Sequence, residues 1–208
     1  MKPRLLKLLI FFFTLYLNAI SGKANDTTQI FISTNYSFDL SDTYSGGELF
    51  SGEFTVSRSW YGIKVAFGHF QSQYIYVFKV PYPEIERTLF IDIPEMAMMK
   101  IGSISGFCRP IQKNWFTADL VFGASYGRAK CFYMKSVDYE YLIAEDRFTH
   151  LYVDYYLHKV NYFGYHAGLD LSFNFTKKFG IQVCSRIHDM SNGGTFFFVG
   201  GGMVFKIK

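Results

Sequence analysis

The sequence has little of several features on which other protein classes depend. It holds three cysteines, five prolines and 18% charged residues in 208 positions. No apolar run after residue 24 approaches the roughly 18–20 residues of a membrane-spanning helix. Cys108, Cys131 and Cys184 are an odd number without C-x-x-C spacing or a neighbouring histidine, which favours neither a disulfide framework nor a metal site. We therefore expect unpaired thiols, no cofactor and no metal.

A concentrated positive charge is also missing beyond the first residues. The chain carries 21 Lys and Arg against 17 Asp and Glu, and four of the cations lie in residues 1–24, which contain no acid. The remainder balances at 17 basic to 17 acidic residues. Nucleic-acid binding requires a basic face that holds phosphates, so no nucleic-acid partner is expected. Half of the residues are hydrophobic, which excludes a disordered chain.

Residues 1–24 have the three-part pattern of a secretory signal peptide. A start with three basic residues precedes an apolar stretch at 8–17, and the small residues Gly22 and Ala24 precede a cleavage point. The alternative is a membrane anchor that is never removed, although the stretch is short for a bilayer core about 30 Å thick. The pattern predicts a cleaved signal peptide at 1–24 and one domain at 25–208.

The rest of the chain shows apolar and polar residues in strict alternation. In residues 162–175 the apolar side chains, such as Phe163 and Leu169, occupy one parity, and small or polar residues such as Gly168 and Asp170 occupy the other. Such a period of two indicates a β-strand, because helical apolar positions recur every three or four residues. The predicted strands are 29–38, 50–59, 61–71, 88–100, 115–128, 162–175, 179–188 and 195–207.

An even number of strands with alternating long and short connections is typical of a closed, up-and-down antiparallel barrel. Pro94 lacks a backbone N–H, so a bulge or an edge-like break is expected there. With both termini periplasmic, the long connections fall outside the cell. The predicted connections are 39–49, 59–61, 72–87, 101–114, 129–161, 176–178 and 189–194.

The polar parity indicates which face of the barrel is inside. It is dominated by Gly, Ser, Thr, Asn and Asp, which fit the crowded interior of an eight-stranded barrel better than the Lys and Glu of a water-facing sheet. Aromatic residues gather near strand ends, as in the girdles of membrane barrels, and one lies near the end of the last strand. We therefore predict a transmembrane barrel in the Gram-negative outer membrane, in contact with its lipid. A soluble periplasmic barrel with an apolar ligand is the alternative.

Several segments together resemble the PorT-like outer-membrane β-barrel domain. Residues 88–95 (TLFIDIPE) are similar to the family's "Y-L-E-I-P" strand, and 162–171 resemble its "D-F-G-x-x-x-G" segment. Residues 116–130, with Gly123, and the closing 200–205 (GGGMVF) are similar to two further strands. The resemblance implies an outer-membrane location and, in some members, a role near protein secretion. It implies no catalytic residues.

The polar parity also carries ionisable residues, namely Glu53, Lys64, Asp92, Asp119, His166, Asp170 and Arg186. They form either a proton or ion pathway or an internal ion-pair network that fills the lumen, and the second interpretation is favoured because unpaired buried charges are costly. His188 and Ser191 resemble the His-x-Ser-Asn element of lipid A deacylases. Their spacing differs, however, and places the two side chains on opposite faces of a strand. An outer-membrane lipid-modifying enzyme is thus an alternative to a non-catalytic structural, anchoring or interaction protein.

Residues 129–161 are rich in tyrosine and acidic residues. As an exposed loop they would offer a binding surface for a protein partner. Alternatively, the fifth and sixth strands extend beyond the membrane and the rings pack on each other.

Overall fold

The computed structural model describes residues 28–41, 46–82, 87–191 and 193–207, in which eight strands close into a barrel. Each strand pairs antiparallel with its neighbours in sequence, and β8 pairs with β1. This confirms the predicted all-β, eight-stranded, up-and-down architecture. The strands are β1 (Thr28–Asp39), β2 (Glu48–Arg58), β3 (Tyr61–Tyr82), β4 (Arg87–Gln112), β5 (Phe116–Leu142), β6 (Arg147–Asn174), β7 (Phe179–Met190) and β8 (Gly194–Lys206).

The predicted signal peptide and its cleavage point lie outside the described residues. Among those that are described, no helix is long and apolar enough to cross a membrane.

The alternation of side chains decides which residues face outward. On β6, Phe163 and Tyr165 are 65% and 57% exposed, whereas His166 and Asp170 are 0% and 1% exposed. The same apolar exterior continues around the ring in exposed residues such as Ile63, Phe67, Ile104, Phe122, Ile187 and Met203. A soluble barrel would bury these side chains and expose the polar ones, so the alternative of a soluble barrel is wrong.

The strands fall into two length classes. β1, β2, β7 and β8 contain 11–13 residues, whereas β3 to β6 contain 22–28. The predicted connections at 72–87, 101–114 and 129–161, of which the second was expected to be of medium length and the others long, are therefore wrong, because most of their residues continue the strands. Only 113–115 joins β4 to β5, and only 143–146 joins β5 to β6. The alternative in which the fifth and sixth strands extend past the membrane is the one observed.

Two β-hairpins project from one end of the barrel, the loop end, which is opposite the start of β1 and the end of β8. Pairing between β4 and β5 ends at Met96 and Phe132, whereas β3 stays paired with β4 up to Tyr82 and Arg87. The first hairpin (residues 72–82 and 87–95) is thus not paired in the sheet with the second hairpin (residues 133–160). Pro94 lies just beyond the last β4–β5 pair, which agrees with the expected edge-like break.

The hairpins pack together through an apolar cluster. Val80, Ile91 and Ile93 of the first hairpin are at most 4% exposed and contact Val137 and Phe148 of the second, among others. In this region water replaces lipid outside the sheet, so the polarity of the two faces is inverted. Asp92 is consequently exposed on the outer face, and its assignment to the lumen is corrected.

Candidate functional site

An ion-pair cluster fills the middle of the lumen. It combines three carboxylates with three cations, all at most 9% exposed, and its members are Glu53, Asp119, Asp170, Lys64, Arg109 and Arg186. Asp170 lies at its centre. Lys64 Nζ lies 2.7 Å from Asp170 Oδ2, and Arg186 Nη2 lies 2.7 Å from the same oxygen. The charges sum to zero, so the cluster needs no external counterion.

Further ion pairs connect the cluster across the barrel. Arg186 Nη2 lies 2.6 Å from Glu53 Oε2 on β2, and Lys64 Nζ lies 3.2 Å from Asp119 Oδ2 on β5. Arg109 donates from Nε to Asp119 Oδ1 at 2.7 Å. Arg109 lies beyond the predicted end of the fourth strand and is therefore absent from the predicted set of lumen residues, although it follows the inward parity of Ser105 and Phe107. The favoured ion-pair interpretation is the arrangement observed.

A histidine layer lies next to the ion pairs. His166 Nε2 is 2.8 Å from Ser105 Oγ, and His166 Nδ1 is 2.8 Å from Ser125 Oγ, which also contacts His188 Nδ1 at 3.1 Å. The two imidazole rings are stacked with centroids 4.8 Å apart. His188 is 4% exposed inside the barrel, whereas Ser191 Oγ accepts a hydrogen bond from the backbone N–H of Phe163. The deacylase-like pair is therefore not assembled, and lipid does not reach His188.

Aromatic rings close the loop end of the lumen. Phe70, Phe196 and Phe198 contact one another with centroids 5.6–5.8 Å apart and belong to a buried apolar cluster with Met99 and Tyr162. The cavity below this layer, which Arg186 and His188 also line, measures only about 30 Å³. That volume accommodates about one water molecule. The aromatic layer and the ion-pair cluster thus obstruct the lumen between its two ends.

At the end opposite the hairpins, where β1 begins and β8 ends, the lumen opens into a basic vestibule of about 560 Å³. Lys113, Lys177, Lys178 and Lys206 line it, and none of these four forms an ion pair within the described residues. Its floor is the neutral ion-pair cluster, since Lys64, Arg109 and Asp119 also border the cavity.

A buried carboxylate joins the bases of the two hairpins. Glu95, which is 7% exposed, accepts a hydrogen bond from the backbone N–H of Met134 at 2.8 Å and another from the Tyr74 hydroxyl. Met134 borders the bulge between Met134 and Ser136 in β5. Burial and the hydrogen bond to Glu95 raise the pKa of Tyr74, so the phenol remains a neutral donor. No apolar or polar period in the sequence reveals this contact.

Replacing Glu95 with alanine is expected to loosen the second hairpin while the barrel remains closed. The Met134 N–H would lose its acceptor, at a cost of about 1–3 kcal/mol to local stability. Hydrogen exchange followed by mass spectrometry should show faster exchange at Met134, with residues of β7 and β8 unchanged. Unchanged exchange at Met134 would contradict the role assigned to Glu95.

The second hairpin carries exposed aromatic and aliphatic side chains on both of its faces. Tyr152 is 60% exposed, and Leu151, Tyr155, Tyr156 and Leu157 are also exposed. The first pair of β6 with β7 is Gly164–Met190, so β6 is bordered on only one side over residues 147–160. Among the described residues no strand pairs with its other edge, to which an extended segment of another chain can add.

The described residues contain no group of three or more His, Cys, Asp and Glu side chains arranged to hold a metal ion. The thiols of Cys108, Cys131 and Cys184 are free, and the last two are buried.

Several solved structures share this fold. Ail, the attachment invasion locus protein of Yersinia pestis, is 13% identical with a TM-score of 0.51, and the match covers 88% of this chain and 100% of Ail. A major outer membrane protein of Thermus thermophilus is 10% identical with a TM-score of 0.54, covering 87% of this chain and 100% of that protein. The N-terminal β-barrel domain of Pseudomonas aeruginosa OprF is 10% identical with a TM-score of 0.50, covering 86% and 97%.

The protein is a Gram-negative outer-membrane β-barrel. The likeness to the three structures establishes the fold, and the closed ring with its apolar exterior is the form in which a sheet enters lipid. No protein-family profile and no curated protein sequence matches the chain. The membrane-spanning part of the barrel has a filled lumen, and the vestibule and the two hairpins are surfaces open to other molecules.

Proposed function

We propose that this barrel is a non-catalytic anchor that holds a partner-binding projection outside the cell. The observation that carries the proposal is the second hairpin, with its exposed tyrosines and a free strand edge. The start of β1 and the end of β8 lie at the end of the barrel opposite the hairpins, and a periplasmic position for that end places the hairpins outside. The partner is a protein that covers the exposed tyrosines, because tyrosine-rich surfaces are typical of protein interfaces.

Two further points support the proposal. The segments that resemble PorT-like domains favour an envelope role near protein secretion, with residues 1–24 removed as a signal peptide and 25–208 as the mature domain. Ail, which has the same fold, is named for attachment and invasion, and it has also been crystallised with the heparin analogue sucrose octasulfate. An eight-stranded barrel that binds another molecule is thus a workable arrangement.

The register provides a direct test of the projection. Phe132 pairs with Leu157, so residues 133–156 can be replaced by an Asn-Gly turn that joins these two strands directly. The expected result is a barrel that still migrates faster on a denaturing gel when unboiled than when boiled, together with loss of the cross-linked partner adduct in cells. An unchanged adduct would remove the partner-binding role from this hairpin.

A smaller change distinguishes the contribution of the exposed tyrosine side chains from that of the free strand edge. The double variant Tyr152→Ser/Tyr155→Ser is expected to reduce the adduct at least tenfold, because both side chains are exposed. Tyr76→Ser on the first hairpin is the matched control, since Tyr76 is also exposed and should change the adduct less than twofold. Equal effects of the two variants would contradict the assignment of partner binding to the second hairpin.

An epitope inserted between Ala144 and Glu145, in the turn of the second hairpin, tests the orientation. Antibody labelling of intact cells is expected. Labelling only after the outer membrane is opened would place the hairpins in the periplasm and overturn the proposal.

A further inference from the structure

A basic cluster lies on the outward face of the barrel, where the hairpins begin. Lys100 on β4, Arg128 and Lys130 on β5, and Lys159 on β6 are all exposed and belong to the outward parity of their strands. Within the described residues, no carboxylate oxygen lies within 4 Å of their charged nitrogens. These four residues form the basic cluster.

The strand register shows that the basic cluster borders the lipid-facing band. Phe67, Gly102, Tyr126 and Phe163 form one lateral row of paired outward positions across β3 to β6. The next outward row towards the hairpins is His69, Lys100, Arg128 and Asn161, and the following one is Gln71, Met98, Lys130 and Lys159. Exposed aromatic rings therefore give way to cations within one step, as expected where acyl chains end and headgroups begin.

The pairing within the basic cluster is unfavourable for the isolated protein. Lys100 is directly opposite Arg128, and Lys130 is directly opposite Lys159. Like charges in opposite cross-strand positions destabilise a sheet, and here no acidic residue offsets them. Elsewhere on the hairpins an exposed lysine does have a partner, since Lys135 Nζ lies 2.9 Å from Asp154 Oδ2. The two opposed cation pairs thus indicate that the missing negative charge comes from another molecule.

The spacing of the basic cluster fits a phosphate. Opposite residues in an antiparallel pair have Cα atoms about 4.5–5.5 Å apart, and residues two apart on one strand are separated by about 6.5–7 Å. Four cations therefore share a patch of the size of one phosphate or two neighbouring phosphates. Arg128 contributes a planar guanidinium that binds two phosphate oxygens at once, and the lysines contribute point charges.

We propose that the basic cluster binds the phosphate groups of an outer-leaflet lipid. The assignment to the outer leaflet rests on the orientation given in the proposed function, whereas binding of the phosphates does not depend on the protein partner. A lipid is favoured over a free ion because the aromatic rings of Tyr126 and Phe163 lie next to the cations and contact the acyl chains of the same molecule.

The test uses the full mature chain in detergent micelles, with native mass spectrometry or thermophoresis as the readout. Bis-phosphorylated lipid A is titrated against the wild type and against Arg128→Gln/Lys130→Gln. We expect at least a tenfold loss of affinity in this variant and less than a twofold change in Lys177→Gln/Lys178→Gln, which removes the same charge at the vestibule. Faster migration of each unboiled protein confirms that it is folded.

Two ligand controls identify the source of the phosphate. Lipid A without its phosphates should bind the wild type at least tenfold more weakly, and inorganic phosphate at the same concentration should not compete. Equal binding of the dephosphorylated lipid, equal loss in both double variants, or full competition by inorganic phosphate would each overturn the proposal. None of these results depends on partner capture, so the lipid site and the hairpin role fail separately.

Discussion

Replacing Asp170 with alanine is expected to lower the free energy of unfolding by about 3–5 kcal/mol, because it leaves buried cations without their shared partner. Asp170 is 1% exposed and lies 2.7 Å from both Lys64 Nζ and Arg186 Nη2. Equilibrium unfolding in urea, with the protein folded into lipid vesicles, measures the effect. Asp92→Ala is the control, and its exposed side chain should contribute less than about 0.5 kcal/mol.

The double variant Asp170→Ala/Lys64→Met tests whether charge balance is the cause. Removing one acid and one cation keeps the cluster neutral, since Arg109 and Arg186 then face Glu53 and Asp119. The double variant should therefore be more stable than the sum of the two single losses predicts, by about 1–3 kcal/mol. Simple additivity would show that packing of Asp170, rather than pairing of its charge, is responsible.

The second large effect is expected at the seam where the barrel closes. Gly202 on β8 is paired with Asn35 on β1, and a Cβ at position 202 would lie 1.7 Å from the Thr34 carbonyl oxygen and 2.6 Å from Asn35 Oδ1. Backbone atoms cannot yield as the end of a flexible side chain does. Gly202→Val should therefore separate β8 from β1 and cost more than the roughly 1–3 kcal/mol of ordinary overpacking.

The measurement is the fraction of protein that reaches the fast-migrating form after folding into vesicles. For Gly202→Val we expect almost none, because an open sheet edge is not tolerated in lipid. Gly52→Val is the matched control, since a Cβ at Gly52 meets no atom within 4 Å. Normal folding of Gly202→Val would mean that β1 and β8 approach each other less closely than the register indicates.

The sequence predicts the eight strands because lipid outside and small polar residues inside impose a period of two on each of them. In β6 this pattern separates Leu169 from Asp170 without ambiguity, and the structure agrees. The opposition of charges in the lumen is also predictable, because Glu53, Lys64 and Asp170 fall on the small-residue parity. Their specific partners are set by barrel closure, which no local pattern encodes.

The projecting hairpins are the part that the sequence does not predict. Beyond the membrane, water lies on one face and the opposite hairpin on the other, so Ile91 and Asp92 exchange the sides that their residue types take within lipid. In residues 133–160 many side chains of both parities are partly exposed, which removes the alternation. A segment without alternation resembles a loop, and the sequence therefore leaves 129–161 open between a loop and an extension of the fifth and sixth strands.

The hairpins also determine how far the protein reaches from the cell. β5 continues for ten residues beyond Phe132, which at roughly 3.3 Å per residue gives a projection of about 33 Å along the strand. This length is comparable to the thickness of the hydrocarbon layer that the barrel crosses. Tyr152 lies five residues along β6 from Leu157, the partner of Phe132, which is about 17 Å along the strand. With the proposed orientation, a large receptor can therefore meet Tyr152 without touching the bilayer.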